Sequence, residues 1–256
     1  LLISIVSKPC ATIGFSSPSK WRNKIYSIAI PFDHSRHITE IFAKVFFPLV
    51  EKSFAVDFKI PKRDMISSAK LSPLVEKLLE KHSEANKIVC VNINAGKICY
   101  LRRWPQENYV ELILGLYHRF GIKVVLVGGE GDVGYVNDFI MKLPKKNNIF
   151  NFCGKLSIKE LVGLFTKSRL LITNDSGPLH IASIVGLPTV SFFGPETPYL
   201  YGPLGPEHHV FYEDIFCSPC INIYNAKASS CNNNICLKSI GSEIVMKTIE
   251  EKNFLT

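Results

Sequence analysis

Strand-like and helix-like segments alternate at short spacing between Lys87 and Phe193, and this alternation limits the possible folds more than any other feature of the chain. Short apolar runs rich in β-branched residues predict buried strands, and the longer stretches between Gly and Pro boundaries predict helices. The predicted strands are 87–94, 122–127, 148–152, 170–173 and 188–193, and the predicted helices are 105–120, 132–143, 157–168 and 176–185. Such repetition predicts an α/β fold with a parallel sheet, wound by right-handed crossovers.

The first 86 residues are less regular. We predict strands at 12–15 and 54–58, helices at 39–50 and 73–82, and a loop at 60–70. A domain boundary near 83–86 would separate a partial N-terminal domain, 1–85, from a C-terminal domain, 86–256. The chain begins at Leu1 within an apolar pattern and without Met, so we expect it to be truncated at its N terminus.

The charge of the chain favours anionic partners. Its formal net charge is +8 at pH 7, which suits nucleotide diphosphates or phosphorylated glycolipids. The basic residues are scattered without interleaved aromatic residues, so we expect no nucleic-acid partner. No apolar run approaches the roughly 18–20 residues that span a bilayer.

The segment Thr173–His180 follows a predicted strand and opens a predicted helix. In open α/β sheets, ligands bind beyond the carboxyl ends of the strands. Ser176 and Gly177 would offer free backbone N–H groups at a helix N terminus, which attracts phosphate. Asp175 could bind sugar hydroxyls, and His180 could reach a diphosphate. The alternatives are that an Asp or Ser here only caps the helix and that the histidine is packed and satisfied.

Four cysteines near the C-terminal end have the spacing Cys-x2-Cys-x10-Cys-x4-Cys, at Cys217, Cys220, Cys231 and Cys236. Four thiolates at this spacing could hold a structural zinc ion. A disulfide is disfavoured in a reducing cytoplasm, and free buried thiols are the third possibility.

The run from Asn174 to Pro195 closely resembles the signature of glycosyltransferase family 9, the ADP-heptose:lipopolysaccharide heptosyltransferases. Further segments resemble other family elements in order and spacing. They are Arg102–Pro105 (Lys-x-Trp-Pro), Val127–Glu130 (Gly-x-Glu), Cys153–Ser157 (the adenine pocket) and Gly194–Pro198 (Gly-Pro-Thr). The resemblance extends from about residue 87 to residue 236.

The resemblance implies roles for seven residues. Ser176 and Gly177 would hold the donor diphosphate, with Asp175 and His180 beside the sugar as catalytic candidates. The remaining candidates would also bind the donor: Arg102 its phosphates, Glu130 the nucleoside and Leu156 the base. Each of these three has a plain alternative, namely a solvated surface cation, a helix-start carboxylate and a core side chain.

The resemblance also implies a GT-B type fold of two Rossmann-like domains, the N-terminal one incomplete. The implied reaction is an inverting, metal-independent transfer without a cofactor. It would move heptose or a related sugar from a nucleotide-diphosphate donor such as ADP-heptose to lipopolysaccharide core or a similar glycolipid. The expected location is the cytoplasm, with peripheral membrane contact.

One departure from the family keeps a second function open. The family draws its acceptor-activating base from a Gly-Asp segment near the natural N terminus, and we find no such segment from Leu1 onward. A fragment of a longer chain would belong to an ordinary transferase, whereas a complete chain would be an inactive nucleotide-sugar-binding remnant. A Rossmann oxidoreductase ranks last, because Asn94–Lys97 stands where Gly-x-Gly-x-x-Gly would be. For the transferase, we expect Asp175→Ala to abolish transfer with little change in melting temperature.

Overall fold

The computed structural model describes residues 11–16, 23–49, 71–81, 88–96, 100–144, 148–222, 225 and 228–255. The chain divides into two compact units, one formed by 1–59 with 199–201 and the other by 60–198 with 202–256. This division assigns the helix Pro73–Lys81 to the larger unit, although that helix precedes the predicted boundary near 83–86. Domains 1–85 and 86–256 stay a prediction, because residues 82–87 lie outside the described ranges.

In the smaller unit, β1 (Ile13–Phe15) and β2 (Ile28–Ile30) pair in parallel, and the predicted strand at 12–15 is therefore confirmed. Helix α1 (Ile38–Ala43) follows and continues as a 3-10 helix, Lys44–Leu49. The predicted helix at 39–50 is thus α-helical only in its first half. The predicted strand at 54–58 and loop at 60–70 lie outside the described residues.

The larger unit is built on a parallel sheet, and the six strands of it that lie in the described residues follow the order β5-β4-β3-β6-β7-β8. The strands are β3 (Ile88–Asn92), β4 (Lys123–Leu126), β5 (Ile149–Asn151), β6 (Leu170–Asn174), β7 (Thr189–Phe193) and β8 (His208–Tyr212). The first five confirm the predicted strands, and β8 was not predicted.

Helices cover both faces of this sheet. They are α2 (Pro73–Lys81), α3 (Gln106–Phe120), α4 (Val133–Lys142), α5 (Ile158–Thr166), α6 (Gly177–Ile184), α8 (Ile235–Lys238) and α9 (Ser242–Glu251). The short helix α7 (Pro198–Tyr201) follows β7 in the chain. Gly121 ends α3 in the left-handed conformation, at φ 63°. None of the helices in the described parts of the chain combines the length and apolar character that crossing a membrane requires.

Alternate strand residues enter two separate cores, because successive side chains of a strand point to opposite faces. Val89 and Val91 of β3 belong to the core that includes residues of α3, α4 and α9. Ile88 and Cys90 belong to the opposite core, which includes residues of α2, α5 and α6. Burial on both faces explains why these strands are continuous apolar runs in the sequence.

The strand order reverses between β3 and β6. From β3 the chain adds β4 and then β5 on one side, and it returns to place β6, β7 and β8 on the other. The connections that leave β3 and β6 therefore lead toward opposite edges of the sheet, to β4 and to β7. A crevice for ligands forms outside the carboxyl ends of the strands at such a reversal.

Candidate functional site

Polar side chains occupy the carboxyl ends of β3 and β6, at the reversal of strand order. Asn92, Asn94, Thr173 and Asn174 are each at most 2% exposed. Asn92 Nδ2 donates to Thr173 Oγ1 at 3.1 Å, and Asn94 Nδ2 donates to Asn92 Oδ1 at 3.0 Å. Buried polar groups are costly unless they are hydrogen-bonded, so this network fixes the backbone from which the site loops depart.

An ion pair joins the two loops. Arg102 Nη1 donates to Asp175 Oδ2 at 3.0 Å, and Arg102 Nη2 donates to the carbonyl of Ala95 at 3.1 Å. The two charged side chains are 17% and 6% exposed. Arg102 Nε is buried without an acceptor among the described residues. The interpretation of Arg102 as a solvated surface cation is therefore wrong.

Helix α6 begins at Gly177, directly after this ion pair. Ser176 is its N-cap residue, but the Ser176 side chain makes no capping hydrogen bond. Ser176 Oγ instead accepts from Asn92 Nδ2 at 2.8 Å and lies 3.0 Å from Thr173 Oγ1. The alternative that Asp175 or Ser176 serves only as a helix cap is therefore wrong.

Gly177 lies at the open end of α6. The first N–H groups of a helix have no acceptor within that helix, and Pro178 has no N–H. A methyl group at Gly177 would meet no atom of the described residues within 4 Å. The exposed backbone at this residue can therefore be approached by a ligand.

The remaining predicted residues lie along the same edge of the sheet. His180 is half-buried in the first turn of α6. Glu130 is exposed in a 3-10 turn after β4. Leu156 follows β5, is half-buried and packs against the core that contains α5.

The turns after β4 and β5 contact each other. Gly154 N–H donates to the carbonyl of Gly128 at 2.9 Å, and a Cβ at Gly154 would lie 3.3 Å from Glu130 Cα. Asn94 Nδ2 connects this region to the loop after β3 by donating to the Val127 carbonyl at 3.2 Å. Arg102, Asp175, Ser176 and Gly177 thus form one cluster, and the turns that carry Glu130 and Leu156 extend the same edge.

Sequence reasoning missed the asparagines that hold the site together. Asn92, Asn94 and Asn174 each lie at or just beyond the end of an apolar strand, where a fully buried amide is unusual. That position was a usable sequence signal. Arg103 was also missed, and its guanidinium lies between two aromatic rings, 4.4 Å from that of Tyr100 and 3.8 Å from that of Tyr135.

The four C-terminal cysteines lie within electrostatic range of one another. Burial and the neighbouring thiols of Cys220, Cys217 and Cys231 raise the pKa of Cys236 to about 11. All four thiols are free. In the described ranges, no three His, Cys, Asp or Glu side chains are grouped as a bound metal ion would need.

The parallel sheet, its strand order and the polar crevice at the reversal define an α/β unit of the Rossmann type. Residues 2–229 match the family model described as "Glycosyltransferase family 9 (heptosyltransferase)". The chain belongs to this family. This match confirms the family expected from the sequence, and with it the class of enzyme, a glycosyltransferase.

Known proteins agree with this membership. The chain is 25% identical over 227 residues to lipooligosaccharide heptosyltransferase 2 of Campylobacter jejuni, covering 86% of this chain and 67% of that protein. E. coli ADP-heptose LPS heptosyltransferase II has a similar structure, with a TM-score of 0.70 and 18% identity, covering 98% of this chain and 72% of that one. An E. coli heptosyltransferase solved with ADP has a TM-score of 0.63 and 15% identity, covering 93% of this chain and 63% of that one. These structures confirm the predicted GT-B type fold, and the chain spans about two thirds of the length of these relatives.

Proposed function

We propose that this chain binds the nucleotide-sugar donor of an inverting, metal-independent heptosyltransferase. The donor would be ADP-heptose or a related sugar nucleotide, and the acceptor would be lipopolysaccharide core or a similar glycolipid. Family membership supports the reaction class. The names of the similar proteins, several of them lipopolysaccharide or lipooligosaccharide heptosyltransferases, support the sugar and the acceptor.

One observation carries the proposal: a buried cation and an open helix N terminus lie side by side at the reversal of strand order. Arg102 reaches Asp175, and Asp175 is two residues before Gly177, where α6 begins. Each feature alone attracts an anion weakly. Together they place the N–H donors of a guanidinium and of a helix N terminus at one site, while Asp175 balances the guanidinium charge, and such donors bind a diphosphate.

The same groups can act on the transition state. When the sugar leaves its donor, negative charge grows on the departing diphosphate. The Arg102 guanidinium and the Gly177 N–H would stabilise that charge without a metal ion, because both are already in place. Asp175 and His180 would lie beside the sugar, with Asp175 held by its bond to Arg102.

The nucleoside would extend along the edge toward β4 and β5. Glu130 is exposed and carboxylates readily accept hydrogen bonds from ribose hydroxyls, while Leu156 offers an apolar surface to the base. The E. coli heptosyltransferase solved with ADP supports adenosine as the nucleoside. Cytoplasmic location with peripheral membrane contact stays a prediction, supported by the net charge of +8.

The test is titration calorimetry of the full chain with ADP, ADP-heptose and NAD, followed by a transfer assay with heptose-acceptor lipopolysaccharide. We expect binding of ADP and of the sugar nucleotide. Preferential binding of NAD would contradict the proposal. Sugar-nucleotide binding without transfer would instead favour a binding module.

A pair of variants makes the test specific. Arg102→Ala should weaken ADP binding roughly 10- to 100-fold, the loss expected for hydrogen bonds to a charged group. Arg119→Ala is the matched control. Arg119 lies at the end of α3, is 62% exposed and pairs with Glu250 of α9. Equal ADP affinity in the two variants would exclude Arg102 from the donor site.

A further inference from the structure

The side chain of Asn174, the last residue of β6, uses all of its hydrogen-bonding capacity inside the protein. Asn174 Oδ1 accepts from the Trp104 N–H at 2.8 Å and from the Tyr109 hydroxyl at 3.1 Å. Its Nδ2 donates to the carbonyls of Ile93 and Asn94 at 3.0 and 3.1 Å. The residue is 0% exposed, so none of these bonds can be replaced by bulk water.

Two of these four bonds, those to Trp104 and to Asn94, close two hydrogen-bonded rings that include the ion pair. The first ring contains the hydrogen bond from the Trp104 N–H to Asn174 and the ion pair between Arg102 and Asp175. The backbone closes it at both ends, because Arg102 is two residues before Trp104 and Asp175 follows Asn174. The second ring contains the hydrogen bond from Asn174 to the Asn94 carbonyl and the hydrogen bond from Arg102 to the carbonyl of the next residue, Ala95. It returns to Asn174 through the ion pair of Arg102 with Asp175.

Trp104 makes the first ring rigid. Its indole Nε1 donates to the Ile240 carbonyl at 2.8 Å, and its ring stacks on Phe192 with centroids 4.1 Å apart. The Trp104 backbone is therefore fixed on one side by packing and on the other by Asn174. Arg102 begins from a backbone that cannot shift freely.

We propose that Asn174 is a positioning residue that sets the place of Arg102 and Asp175 for the donor diphosphate. The inference rests on the proposed function and deepens it. Asn174 does not touch the donor and acts through the two charged side chains. A small displacement of a positioned charge is expected to reduce binding and rate strongly.

Asn174→Asp separates this role from a purely structural one. The aspartate has nearly the same shape and keeps an acceptor toward Trp104 and Tyr109. When ionised, it faces the carbonyls of Ile93 and Asn94 with an oxygen in place of a donor, and the second ring opens. When protonated, it can donate to one of those carbonyls again.

The experiment measures ADP affinity of the wild-type chain and of Asn174→Asp by calorimetry at pH 5.5 and pH 9. Each affinity is compared with wild type at the same pH, which cancels the titration of ADP. We expect the variant to bind about tenfold more weakly or worse at pH 9, and its deficit to shrink to about twofold at pH 5.5 as the carboxyl is protonated. Equal affinity at both pH values would overturn the inference while leaving the proposed function intact. No ADP binding by the wild type would overturn both.

Ser183→Ala is the control for loss of stability. Ser183 is buried and its hydroxyl bonds both the carbonyl and the N–H of Leu204, so the variant should lower the melting temperature without changing ADP affinity. Should Asn174→Asp fail to fold, Tyr109→Phe takes its place, since it removes one hydrogen bond to Asn174 Oδ1 and keeps the aromatic side chain. We then expect ADP binding to weaken about two- to fivefold, and unchanged affinity would overturn the inference.

Discussion

Gly177→Ala isolates the role of the helix N terminus, because the structure predicts opposite effects on stability and on binding. Gly177 is the first residue of α6, and a methyl group there meets no described atom within 4 Å. Its φ lies outside the left-handed region that favours glycine. Alanine therefore fits the folded protein without strain, but it occupies the open space beside the Gly177 N–H.

The expected magnitudes follow from these two facts. Replacing glycine by alanine at a compatible position stabilises a protein by about 0.4–1 kcal/mol, chiefly by restricting the unfolded chain. For a protein of this size, the melting temperature should rise by about 1–4 °C. Displacing a diphosphate from a backbone donor should cost about 1.5–3 kcal/mol of binding free energy, which is roughly a 10- to 100-fold loss of ADP affinity.

The assay combines calorimetric ADP binding with thermal unfolding. Gly115→Ala is the matched control, since Gly115 lies within α3 and an added methyl would make ordinary contact with Met246 at 3.8 Å. That control should also raise the melting temperature and leave ADP affinity unchanged. If Gly177→Ala binds ADP as tightly as wild type, the diphosphate does not lie at the start of α6.

Three further predictions concern stability and thiol chemistry. Asp175→Ala should abolish transfer and also lower stability by roughly 3 kcal/mol, because it leaves the Arg102 charge unpaired in a largely buried site. Calorimetry should show a fall in melting temperature on the order of 6–12 °C, and an unchanged value would restore the expectation from sequence alone. Burial lowers the pKa of His208, and both of its ring nitrogens are bonded in the neutral form. The unfolded state therefore binds more protons, so stability should be full above about pH 6.5 and fall as the pH drops through the lower folded pKa. Urea denaturation at pH 7.5 and pH 5 checks this, and a His208→Gln variant with the same pH dependence as wild type would contradict it. The pKa of Cys236 is raised to about 11, so an alkylating reagent at pH 8 should modify the exposed Cys217 first; equal rates by peptide mass spectrometry would refute this.

The sequence was most informative about the fold where local and tertiary preferences agree. The capping box formed by Ser157 and Glu160 is present at the start of α5, with Ser157 N–H donating to Glu160 Oε2 at 2.8 Å. Gly121 ends α3 as predicted. The edge strand β8 escaped prediction, because its five residues are all partly exposed and do not form the apolar run of a central strand.

The candidate site was predictable in its location and less so in its contacts. The order of strands and the segment after β6 were sufficient to place Asp175, Ser176 and Gly177 at the crevice. The pairing of Asp175 with Arg102 could not be read from the sequence, because it joins side chains 73 residues apart. The role of Asn174 was hidden for the same reason, since its four partners come from segments that only the folded sheet brings together.

A crystal structure of the chain with ADP would show directly whether the start of α6 binds the diphosphate. We predict diphosphate oxygens within about 3 Å of the Gly177 N–H and of the Arg102 guanidinium, with the adenosine extending toward Glu130 and Leu156. ADP bound elsewhere on the larger unit, with the start of α6 unoccupied, would contradict it.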